Sequence, residues 1–149
     1  MARTSRRDAS APEPVALATP VEKICYLIVK AREFDAKVDV VEPDPGSNPT
    51  DDSDRGVLED YPDDPTYQEL VAALDLLNDD ERVEVLAMTW LGRGDFEAKE
   101  WAAALAQARS VHDLHETGYL AGTPLLGDYL EEALSLLGHS CEDIDREHL

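Results

Sequence analysis

Residue types able to do chemistry gather in three places along this chain. His112 and His115 are three residues apart, so on a helix both imidazoles face one side, with Asp113 and Glu116 as neighbouring carboxylates. Such a set is necessary for a zinc site and far from sufficient for one. His112 also falls on an apolar helical stripe, where a hydrogen-bonded boundary histidine is the commoner occupant. The second group is Asp128, Glu131 and Glu132, with Tyr119 and Tyr129 nearby. A carboxyl raised beside a tyrosine suits acid–base work, but no nucleophile stands next to a base, and Ser110 and Ser135 lack any surrounding motif.

The third group is the stretch WLGRGDFEAKEW over residues 90–101. Its glycine pair lacks the spacing of a phosphate-cradling loop and follows a helical pattern rather than a strand. The Arg-Gly-Asp tripeptide within it would serve adhesion only in a secreted protein. Cap chemistry accounts for it more simply: Gly92 or Gly94 ends one helix, and Asp95 opens the next by its side chain. Arg93 complements the dipole at the helix end, and could also reach a carboxylate of the last helix. Trp90 and Trp101 flank this corner, and with Phe96 and Tyr119 they are expected where three helices cross. The residues expected to bind a partner are Trp90, Arg93, Asp95, Trp101 and Tyr119. His112 and His115 are the weaker metal candidates, and no cofactor is expected.

The elements that position these groups follow from caps and periodicity. Residues 1–18 mix Arg, Ser, Ala and Pro without a period and read as a disordered tail. Thr19, Pro20 and Glu22 fit a capping box, and Ile24, Leu27, Ile28, Ala31, Phe34 and Val38 then recur at helical spacing, which predicts a first helix over 19–38. Residues 39–65 hold five prolines and two glycines without a period, predicting an acidic mobile loop. Its aspartates lack the spacing of a calcium-binding loop.

A helical core domain over 66–143 follows, with a tail over 144–149. Asp64 and Pro65 start a second helix with the stripe Tyr67, Leu70, Val71, Leu74 and Leu77. Asn78 and Glu81 box a third, with Val83, Leu86, Ala87, Trp90 and Leu91. Asp95 opens a fourth, a short fifth covers 116–121, and Thr123 with Pro124 caps the last, which Gly138 closes. The fold class is all-α: a single compact bundle-like domain of about six helices, with a disordered N-terminal tail and a long acidic loop.

The charge balance narrows the partners. The chain has 33 acidic and 13 basic residues, for a net charge of −20. Such a field repels phosphate backbones and anionic lipid surfaces, so nucleic acid and membrane are not expected as partners; the arm of Arg3, Arg6 and Arg7 is too small to reverse this. It attracts basic partners instead. No apolar run approaches the ~20 residues that span a bilayer, and no leader-like apolar core opens the chain, so the expected location is cytoplasmic. Cys25 and Cys141 form no metal-type spacing and no disulfide framework, and Cys25, inside an apolar run, is expected as a buried inert thiol.

Two separated stretches, LAMTWLGRGDFEAKEW and TGYLAGTPLLGDYLEEALSLLGHSCED, resemble a bacterial family, DUF3775, over roughly residues 67 to 143. The resemblance implies a helical bacterial protein with no assigned activity, and so carries over no catalytic or binding residue. Two functions stay open. The first is a non-enzymatic interaction or regulatory module that offers an acidic helical surface to a basic protein or to another copy of itself. In that reading the mildly basic first helix could fill an aromatic groove in cis. The second is a small metal-binding protein or enzyme centred on His112 and His115.

Overall fold

The computed structural model of the protein describes residues 13–41, 64–112 and 116–142. Among them are six α-helices: α1 (Val21–Val41), α2 (Pro65–Asp75), α3 (Asp79–Arg93), α4 (Trp101–Val111), α5 (Glu116–Ala121) and α6 (Leu126–Leu136), with a 3-10 turn at Ala98–Glu100 before α4. No strand occurs among the described residues. Residues 1–12, most of the acidic stretch (42–63) and His115 lie outside them.

The centre of the bundle is α3. Every residue from Val83 to Thr89 is buried, so this helix is enclosed on all sides rather than amphipathic. It packs against α6 and α4, α1 packs against α6 and α2, and α5 rests on α2. The core joins Ile24, Leu27, Ile28 and Phe34 of α1 to Leu70 and Leu74 of α2, Met88 and Leu91 of α3, and Leu130 and Leu134 of α6. Each such side chain contributes about 1.5–3 kcal/mol by leaving water. The first helix is therefore a wall of the core, not an optional occupant of a groove.

Local chemistry sets most of the helix ends. Asp64 accepts hydrogen bonds from the amides of Thr66 and Tyr67 at 2.8 and 3.2 Å, with Pro65 at the first helical position. Asn78 and Glu81 exchange side-chain-to-amide bonds at 2.8 and 3.0 Å, completing the expected capping box. Gly94 (φ 98°) and Gly138 (φ 88°) take the left-handed conformation that ends α3 and follows α6. In both, the next residue's amide bonds back to the last turn: Asp95 to the Trp90 carbonyl, and His139 to that of Leu134.

Tertiary contacts override other local expectations. Helix α1 runs on to Val41, three residues beyond the expected end at 38. Thr19 gives its amide to the buried carboxylate of Glu84 at 2.7 Å, and its hydroxyl faces the Glu81 carbonyl at 3.5 Å. Thr123 does not cap α6; its hydroxyl bonds to the Tyr119 carbonyl at 2.7 Å, closing the end of α5. The residue before α6 is instead Leu125, in a left-handed conformation (φ 64°) with its amide directed at Asp35 of α1.

The cysteines also depart from expectation. Cys25 and Cys141 are joined by a disulfide, their Cα atoms 5.8 Å apart across 116 residues of sequence. Sequence spacing could not reveal this pair, because packing of α1 beside the end of α6 is what brings the two together.

Candidate functional site

The corner between α3 and α4 gathers some of the expected partner-binding residues and separates one. Arg93 donates from Nε and Nη2 to Asp95 Oδ2 at 2.9 and 2.7 Å, and from Nη1 to the Tyr119 hydroxyl at 3.3 Å. Those two acceptors hold the guanidinium above its ordinary basicity, Tyr119 first and Asp95 second, against the opposing effect of burial. Trp90 is half-buried beneath, its ring 6.1 Å from that of Phe96. Trp101 is only 8% exposed and belongs to the core.

Asp95 does not open α4 as expected. Arg93 captures its carboxylate, and the helix begins instead through the 3-10 turn, where the Glu97 amide donates to Glu100 at 2.8 Å. The carboxylates of the last helix are likewise assigned elsewhere: Arg32 of α1, not Arg93, binds Asp128 and Glu131.

His112 ends α4 with Nδ1 2.7 Å from Glu116 Oε1 and Nε2 3.5 Å from Asp79 Oδ1. Arg82 lies 3.8 Å from the same Glu116 oxygen and also bonds to the Leu74 carbonyl, so the cluster ties α2, α3, α4 and α5 together. Among the described residues no group of three or more histidine, cysteine or acidic side chains has the arrangement to hold a metal ion.

A feature outside the expected residues is an open groove of about 440 Å³ between α1 and α2. Glu22, Lys23, Tyr26 and Leu27 form one wall, and Glu69, Ala72, Ala73, Leu76 and Leu77 the other. Two large side chains at its edge remain uncovered: Leu76 is 80% exposed and Tyr26 51%. Lys23 pairs with Glu81 at 3.3 Å, and Lys30 pairs with Glu69 at 2.8 Å and Glu33 at 3.2 Å while lying 5.6 Å over the Tyr26 ring.

Two signals of this groove were present in the sequence. Tyr26 is an apolar position off the buried stripe of α1. The pair Leu76-Leu77 at the end of α2 cannot turn both side chains inward, and it is Leu77 that is buried, at 3% exposure.

Among the described residues no helix is long and apolar enough to cross a membrane. No curated protein and no solved structure matches the chain. Residues 67–139, from α2 to just beyond α6, match the model of a family described as protein of unknown function, and this segment, which contains the corner, the His112 cluster and the α2 wall of the groove, belongs to that family, DUF3775.

Proposed function

We propose that the protein is a non-enzymatic interaction module that docks a basic amphipathic helix of a partner protein in the groove between α1 and α2. The observation that carries this reading is Leu76, a large aliphatic side chain 80% exposed at the edge of an open apolar groove, in a chain of net charge −20. A partner helix with apolar residues at i, i+3, i+4 and i+7 fits such a groove, and basic residues flanking that stripe are drawn by the net charge of −20. Self-association through the same face brings two strongly acidic copies together, which favours a basic partner over a second copy. The same field disfavours nucleic acid. A cytoplasmic, bacterial setting is part of this reading and rests on composition and family resemblance.

The other reading places metal or acid–base chemistry at His112 and His115. It has less support, because His112 is held between Glu116 and Asp79 within an ion-pair network.

A synthetic helical peptide with leucine on one stripe and lysine elsewhere is the probe, its binding followed by fluorescence anisotropy at physiological salt. Saturable binding is expected, weakened about tenfold by Leu76→Ser and again by Tyr26→Ser, since each removes on the order of 1.4 kcal/mol of apolar contact. Equal binding by both variants would show only attraction between opposite charges and would sink the groove assignment.

A further inference from the structure

The first and last described residues meet beside the first turns of α1. The Val15 amide donates to the Leu137 carbonyl at 2.9 Å, and His139 Nε2 lies 2.7 Å from the Val15 carbonyl. Gly138 rests against Pro14, where an added Cβ would come within 2.9 Å of the Pro14 Cα. Beyond His139 the chain continues as a strap through Ser140 to Cys141, whose sulfur is bonded to Cys25 of α1.

Apart from this bond the strap is held at its start, where His139 bonds to Leu134 and Val15, and by partial packing of Cys141 on the core. No residue from Gly138 to Glu142 is fully buried, and the hydrogen bond from the Glu142 amide to the Ser140 hydroxyl is local. Both cysteines are partly exposed, so a thiol can approach. The core does not depend on the bond: Leu137, the last residue before the strap, is buried among the same side chains as Ile24 and Leu134.

We infer that the Cys25–Cys141 pair is a redox modification site, at which a dithiol reductant opens the disulfide and frees the strap over residues 138–142 while the helical core stays folded. The exchange is balanced. One thiolate of the dithiol attacks a sulfur of the pair, giving a mixed disulfide and releasing the other cysteine as a thiolate. The second thiol of the reductant then displaces the remaining cysteine, so two electrons and two protons pass to the pair and the reductant leaves as its cyclic disulfide. Opening the strap also removes the contact of His139 to the Val15 carbonyl.

The test uses the full chain in native buffer with dithiothreitol as the dithiol. Alkylation followed by mass spectrometry counts free thiols, and amide hydrogen exchange reports on the strap. Reduction without denaturant is expected to give two alkylated cysteines and at least tenfold faster exchange at residues 138–142 and 15–17, with protection in α3 and the helical circular-dichroism signal retained. Cys141→Ser should show the same fast exchange without reductant, and Cys25→Ser provides a second route to it. Alkylation that requires denaturant would make the bond a buried staple and overturn the inference. So would exchange at the strap that does not change on reduction.

Discussion

Gly92 faces Tyr129 so closely that a Cβ added to Gly92 would lie 1.9 Å from the Tyr129 carbonyl oxygen. That atom belongs to the backbone of α6 and cannot rotate away, so the approach of α3 to α6 is set by the absence of a side chain here. Gly94, two residues on, has nothing within 4 Å of such a Cβ but holds φ at 98°. The two glycines of one tripeptide therefore serve different needs, one spatial and one conformational. Gly92→Ala should cost at least ~2 kcal/mol, because two packed helices must separate. Gly94→Asn should cost well under ~1 kcal/mol, since asparagine tolerates the left-handed region. Urea-unfolding midpoints compare them directly, and equal losses would refute the division.

Glu84 is 4% exposed, and its two carboxylate oxygens accept the amides of Ala18 and Thr19 at 2.8 and 2.7 Å. This carboxylate fixes the approach of the chain to α1. A glutamine offers one acceptor and turns its NH₂ toward the second amide, so Glu84→Gln should destabilise by about 2 kcal/mol. By contrast, Arg32→Ala removes an ion pair between α1 and α6 that is exposed on both sides, and should cost under ~1 kcal/mol and less at high salt. A reversed order in thermal unfolding would overturn this ranking.

Leu125 holds a left-handed conformation with φ of 64°, which a side chain bearing a Cβ adopts at a cost. Leu125→Ala removes contacts and keeps that cost, whereas Leu125→Gly removes both. The glycine variant should be the more stable of the two by about 1 kcal/mol, opposite to the order found inside a helix. The comparison needs only the two melting temperatures.

Stability should also depend on pH through two groups at the start of α2. Burial pushes the Asp64 carboxyl up, but the Lys37 ammonium, at 3.0 Å, and the amides of Tyr67 and Thr66 outweigh this and hold it below the usual value. A carboxyl depressed in the folded state contributes stability that is present above the unfolded value of about 3.9, and that is lost as pH falls through the folded value. Asparagine still caps the helix but does not titrate. The advantage of the wild type over Asp64→Asn should therefore be constant near neutrality and shrink below about pH 4. At the other extreme, burial raises the Tyr67 hydroxyl, whose contribution is present below about pH 10 and fades as pH rises through its folded value. Tyr67→Phe should remove that alkaline loss.

What could be read from the sequence was what depends on neighbours along the chain. The Asp64 cap, the Asn78–Glu81 box, the glycine ends at Gly94 and Gly138, and the apolar stripes that became the core all arise from interactions a few residues apart. Their physics is local, so spacing carries it, and the six-helix, all-α architecture follows from it.

Only the tertiary structure decided which groups from distant segments would compete for the same partner. Tyr119 of α5 joined the Arg93–Asp95 pair, Arg32 took the acids of α6, and Glu84 claimed the amides that precede α1. The pairing of Cys25 with Cys141 and the groove between α1 and α2 belong to the same class. Each depends on how helices far apart in sequence come to lie side by side, and the free energy of a charge, a thiol or an exposed leucine is set by the neighbours which that packing supplies.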